Sequence, residues 1–276
     1  MSRRADRVTA VATAVVTSVL LGFIVLPILA IFLRVPPSEL LAQLHSPTSL
    51  AALKVSLRSA GIAVAAIVLL GTPTAYMLGT KQFRGQRVVT MLIELPLVLP
   101  PAVAGIGLLA AFGRRGLLGG TFRAFGLELP FTQTAVVMAL VFVAMPFYTR
   151  QAVAAFASID HKLLGASRTL GKGSTATFFR IALPLARQGL SAGVALAWAR
   201  ALGEFGATIL FAGSLQGTTQ TLPLAIYNEF SAGNFQGALA ISALLVLMSV
   251  AVLIGVQLLI PTHQKVGPEP QSAASK

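Results

Sequence analysis

The 276-residue chain has no cysteine, three histidines and a single tryptophan, and its acidic residues are scarce: 8 Asp and Glu against 21 Lys and Arg. Without cysteine there is no disulfide framework, no thiolate metal site and no thiol nucleophile, and three scattered histidines leave little material for a metal centre. A His-Glu-x-x-His run is also missing. Charge of either sign is low, at 11% of residues, while 55% are hydrophobic. So few ionised groups cannot cover a water-facing surface, which excludes an ordinary soluble globular enzyme and makes lipid the solvent. The net charge of +13 would point to nucleic acid in a soluble chain; here it marks loops facing the cytoplasm, and no nucleic-acid partner is expected.

What the chain does have is long uncharged runs punctuated by Arg and Lys. Between Arg7 and Arg34 lie 26 residues without a charge, about 39 Å as a helix at ~1.5 Å per residue, more than one bilayer core and too long for the apolar stretch of a secretory signal. Five further segments are long enough to span, so the expected spans are about 8–33, 59–80, 88–112, 129–149, 188–212 and 237–260. Backbone groups in lipid must be satisfied internally, and no ten-residue alternating strands are seen, so the fold class is an all-α integral membrane protein of six transmembrane helices. Fourteen of the Lys and Arg fall on the side of both termini, six on the other, and Arg200 inside a span. Both termini are therefore expected to be cytoplasmic. Residues 261–276, rich in Gly, Pro, Gln, Ser and Ala, have nothing to bury and read as a disordered cytoplasmic tail.

The segment 150–187 is too long for a connector between two membrane helices. Ser158 or Asp160 can cap a short helix carrying Leu163, Leu164 and Leu170, which Gly171 would stop; a second can begin at Ser174, with Phe178, Phe179 and Ile181 apolar, before Pro184 introduces the fifth span. Two readings fit: a compact cytoplasmic knob for a partner, or a helix pair lying on anionic headgroups. Gly171-Lys172-Gly173-Ser174 looks like a phosphate loop but fails as one. Ala166 stands where the first Gly is needed, Gly173 follows the Lys, and no apolar strand precedes.

Within the membrane, Pro96, Pro100 and Pro101 interrupt the third span, where a broken helix can line a pathway. Glu94, near that span's cytoplasmic end, can snorkel. Arg200 and Glu204 are four apart in the fifth span and can pair; an isolated Arg or Asp at a helix centre costs roughly 2.5–3.5 kcal/mol, so such groups face a polar cavity or each other. Gly203 and Gly206 flank Glu204 and allow close helix approach or a hinge.

The segment around Gly171 resembles the cytoplasmic signature of ATP-binding-cassette importer permeases: Glu-Ala-Ala, three residues, Gly, nine residues, Ile, one residue, Leu-Pro. Gly171, Ile181, Leu183 and Pro184 fit it; the first triplet is Gly165-Ala166-Ser167, so the family's Glu is a Gly and its second Ala a Ser. The resemblance implies a type I importer architecture, with this loop as a coupling helix seated in a groove of a cytoplasmic ATPase. Its contact residues would be Asp160, Leu163, Leu164, Ala166 and Gly171, with Ile181, Leu183 and Pro184 as the rigid exit. Around the intramembrane groups the likeness narrows. Leu95-Pro96-Leu97-Val98-Leu99-Pro100-Pro101, the run Ala201 to Thr208, and the run Thr219 to Asn228 resemble the membrane subunit of molybdate importers; sulfate and thiosulfate permeases share the Gly-Glu-Phe-Gly core.

That resemblance implies a homodimer, two ATPase subunits that bind the ATP, and an extracytoplasmic oxyanion-binding protein, in the cytoplasmic membrane. This chain itself would carry no ATPase site, no catalytic residue, no cofactor and no metal. A pathway or gate would use Pro100, Pro101, Arg200, Gly203, Glu204, Gly206 and Thr208; Ser214 and Thr218 are further candidates by chemistry alone, since a dianion needs donors or a compensated cation. A sulfate permease and, more distantly, an ion-driven carrier without an ATPase are the alternatives. A carrier would leave the loop around Gly171 unexplained, and no clear internal repeat of the kind carriers show is seen.

Overall fold

A computed structural model describes residues 2–258; the expected tail 261–276 lies outside them. The described chain is helical. It runs α1 (Ser2–Arg34), α2 (Pro37–His45), α3 (Pro47–Thr80), α4 (Gln86–Val98), α5 (Pro101–Phe112), α6 (Gly119–Ala124), α7 (Gln133–Ala157), α8 (His161–Thr169), α9 (Ser174–Thr177), a π-helical turn (Phe178–Ala182), α10 (Leu183–Leu202), α11 (Gly206–Phe211), α12 (Leu222–Ser231) and α13 (Phe235–Leu258). Among the described residues four helices are long and apolar enough to cross a membrane: α1, α3, α7 and α13. The expected third span is a bent pair, α4 and α5, whose axes turn by 116°. The expected fifth is α10 and α11, separated by Gly203, Glu204 and Phe205.

The core is α3 against α7 and α10, and small residues make it possible. Lipid gives helices no hydrophobic reason to associate, so close van der Waals fit has to hold them. A Cβ on Gly71 would sit 2.9 Å from the Tyr148 ring, one on Gly79 2.8 Å from the Val153 carbonyl, and one on Gly193 3.0 Å from Tyr148. Ala60, Ala63, Ala75, Ala139, Ala144 and Ala152 are fully buried along the same seams. The Tyr148 hydroxyl hydrogen-bonds Thr72 across the α3–α7 contact, so the polar tip of this buried ring is partnered.

Local chemistry sets the helix ends. Thr132 accepts from the Ala135 N–H and starts α7; the Asn234 side chain accepts from the Gly237 N–H and starts α13. Pro100 cannot donate, and its ring disfavours helical backbone at Leu99, so α4 stops there and α5 restarts with Pro101 in its first turn. By contrast α1 stands apart. Its apolar window has none of its residues buried, and among the described residues its main neighbour is α13.

Candidate functional site

The two helix breaks meet. α11 packs along α5, and the contact is backbone-close: a Cβ on Gly206 would lie 2.6 Å from Pro101 Cβ, and one on Gly105 would lie 2.9 Å from both the Ala207 carbonyl and Leu210 Cβ. Gly206 therefore serves close approach. Gly203 ends α10 with φ −88°, and a Cβ on it would meet nothing nearer than the Ala199 carbonyl at 3.6 Å, so its place is at the helix terminus and not in a close contact.

Glu204 lies in the break and not within a continuous helix. One carboxylate oxygen takes the Arg200 guanidinium at 2.6 Å, and the other accepts the Ala207 N–H at 2.7 Å. The side chain is 1% exposed while that of Arg200 is 25% exposed, so the charge is neutralised on one flank and spent on the orphan donors of α11 on the other. This satisfies the requirement that a buried charge be both paired and hydrogen-bonded. Thr208, one turn on, is fully buried with its hydroxyl unpartnered by protein atoms. Pro100 and Pro101 are exposed in the single chain. Ser214 and Thr218 do not join this group: Ser214 accepts from the Asn228 amide at 3.0 Å, and Thr218 is exposed in the loop before α12.

At the other end lies the knob. Asp160, not Ser158, caps α8: its carboxylate accepts the Lys162 N–H at 2.8 Å, while the Ser158 hydroxyl donates backwards to the Ala155 carbonyl at 2.9 Å. Gly171 adopts φ 73°, a left-handed residue that lets the Lys172 N–H return to the Ser167 carbonyl at 3.1 Å and stops the helix. Three leucines expected on one apolar face are divided: Leu164 is buried in the core, whereas Leu163 and Leu170 are 49% and 79% exposed. Ala166 is exposed beside them. Ser167, where the signature has Ala, is buried and shares a 2.9 Å hydrogen bond with Thr177, locking α8 to α9.

The exit from the knob is rigid. From Ser174 the chain is helical through the π turn and Pro184 to Leu202 without a pause. Phe178 in that turn stacks edge-on to Tyr76 of α3 at 4.9 Å and lies 6.2 Å from Phe156 of α7; Ile181 and Leu183 pack on the same core, and Pro184 is exposed in the first turn of α10. The Gly189-to-Gly193 run has the spacing of a hydrolase nucleophile elbow. Yet Ser191 is mid-helix with its hydroxyl on the Gln188 carbonyl at 2.6 Å, and Gly193 packs on Tyr148, so the run is a packing seam.

Two features gave little signal in the sequence. Glu94 of α4 pairs with Arg150 of α7 at 3.2 Å; each charge was visible, but nothing local joins them. Ser56 accepts the Leu222 N–H at 2.8 Å and so starts α12 from 166 residues away.

Comparison with known proteins places this architecture. Solved structures share the fold: a bacterial alginate ABC transporter, crystallised with an alginate-bound periplasmic protein, superposes with TM-score 0.73 over 93% of this chain and 96% of that one at 13% identity. A molybdenum transport system permease protein of Mycobacterium tuberculosis is 42% identical over 236 residues, 85% of this chain and 88% of that protein. A probable transport system permease of Clostridium pasteurianum is 33% identical over 88% of this chain and 85% of that one. Residues 67–264 match the family model described as binding-protein-dependent transport system inner membrane component. With most of its length matched both by that model and by these relatives, the chain belongs to the family of inner membrane components of binding-protein-dependent transport systems.

Proposed function

We propose that this chain is the membrane subunit of an ATP-driven importer of a tetrahedral oxyanion, molybdate or its close analogue tungstate, with six spans and both termini in the cytoplasm. The observation that carries it is the knob: an exposed helical insert with Leu163 and Leu170 outward, locked by Ser167 and Thr177 and tied by Phe178 to α3 and α7. A helix-in-groove contact needs outward apolar anchors and a stiff lever, and both are present. ATP is bound and hydrolysed by separate subunits that grip this insert. Motion passes through α10 to the Arg200–Glu204 break and, by the Gly206–Pro101 contact, to α5.

A second copy of the chain completes the pathway. The face of α5 carrying Val103, Ile106 and Gly107 is exposed, and none of the apolar window of α1 is buried. An extracytoplasmic binding protein supplies selectivity, so the membrane part needs only to pass the anion and not to choose it. Molybdate is preferred to sulfate because several of the relatives that this chain matches over most of its length are named for molybdenum transport. The test is uptake of labelled molybdate against labelled sulfate by liposomes holding the complex with ATP inside. Receptor-dependent molybdate uptake is expected; sulfate uptake alone, or uptake without an ATPase, would refute the reading.

A further inference from the structure

Segments far apart in sequence meet at one end of α3 around a cavity of about 550 Å3, lined by His45 of α2, Lys54 and Arg58 of α3, Gln133 of α7 and Gly217 of the loop before α12. Its walls are tied by neutral hydrogen bonds. The Gln216 amide donates to Thr48 at 2.8 Å, Leu222 N–H to Ser56 at 2.8 Å, and the Gln133 amide to Ser59 at 3.4 Å. No carboxylate among the described residues lines it. Among the described residues the ion pairs are Arg114–Glu128, Arg150–Glu94 and Arg200–Glu204. Glu39, the acid nearest in sequence, accepts from the Gln43 amide at 3.4 Å instead. His45 engages the Leu41 carbonyl through Nδ1 at 2.8 Å, which leaves Nε2 uncommitted.

Lys54 and Arg58 are one helical turn apart, where like charges repel, and they share one concave lining with no counter-charge. An anion in the cavity would relieve that repulsion. Arg offers a planar fork that matches two oxygens of a tetrahedral oxyanion, and Lys adds a mobile point charge.

We propose that this cavity is a receiving site for the oxyanion on the extracytoplasmic side, held by Lys54 and Arg58 ahead of the Arg200–Glu204 break. The proposal rests on the importer reading and its orientation. Both cations are exposed, so the site captures weakly and does not select; its positive potential raises the local concentration of a dianion leaving the binding protein and opposes its escape outward.

The experiment is equilibrium binding of labelled molybdate, without receptor, to the full-length complex in neutral-lipid nanodiscs at low salt. Wild type should bind, with affinity falling as salt rises; Lys54→Gln with Arg58→Gln should lower affinity at least tenfold, and the swap Lys54→Arg with Arg58→Lys should retain most of it. Absent binding in wild type, or equal binding in the double Gln variant, overturns the proposal. So does unchanged anion binding with a tenfold weaker receptor affinity, which would make this a protein-docking face. Wild-type uptake in liposomes is measured in parallel: its failure removes the importer reading, whereas its success with unchanged binding in the variant removes only this site.

Discussion

Gly206 and Gly171 each mark an interruption of the helical chain, and they are glycine for opposite reasons. Gly206 needs space, because any Cβ would collide with Pro101, while its backbone is ordinary. Gly171 has open space around it and needs its left-handed backbone. The first break is a packed joint whose charge is buried and fully paired. The second is an exposed turn, and under the proposed importer reading it has only to hold its shape for the ATPase to grip. A joint that transmits motion must be tight against its neighbour; a handle must be stiff and reachable.

The largest effect should come from the joint. Glu204→Ala leaves Arg200 unpaired and α11 uncapped, and since Arg200 keeps some water the loss should be about 3 kcal/mol, at the low end for a broken buried pair. Glu204→Gln can still accept the Ala207 N–H, so it should assemble and keep most of its thermal stability while transport changes. Equal loss in both variants would show that charge, not capping, holds the break. Next, Gly206→Ala should cost about 1–3 kcal/mol by overpacking against Pro101. It should cut uptake several-fold, with partial recovery on Pro101→Gly; no recovery would mean that the contact with α5 does not matter.

At the handle the effects are smaller in stability and larger in coupling. Gly171→Ala should cost about 1 kcal/mol through its backbone, and Gly171→Asn less, because Asn tolerates the left-handed region. Gly171→Leu should insert normally yet hydrolyse ATP without matching uptake in liposomes. Wild-type coupling in that variant would dismiss the turn as a mechanical element. A small change is expected for Thr177→Val, which removes the hydrogen bond shared with Ser167 and the one donated to the Gly173 carbonyl and should lower stability by about 1 kcal/mol.

Charge punctuation and apolar run length made α1, α3, α7 and α13 legible in the sequence, and Pro100 with Pro101 marked the bend between α4 and α5. Gly171 and the Ile181-to-Pro184 exit were legible through their spacing. The division of the leucines was not: α8 ends at Thr169, so Leu170 falls past the helix and its phase with Leu163 and Leu164 is lost. Nor was the capping role of Glu204. Read as a residue within a helix it can only pair with Arg200, and it becomes a cap only once the chain breaks at Gly203. Contacts such as Glu94 with Arg150, or Ser56 with Leu222, depend on tertiary placement and leave no local pattern. Helix α2, nine residues long, is too short to announce itself by hydropathy.

The absence of native cysteine makes the central claim directly testable. A single Leu170→Cys variant, at a side chain 79% exposed, can be labelled in inside-out and right-side-out vesicles with a membrane-impermeant maleimide, with and without the ATPase subunit. Labelling from the cytoplasmic side alone, blocked when the ATPase is bound, is the predicted result. Labelling from outside, or labelling indifferent to the ATPase, would contradict the account of this insert as the handle of a separate motor.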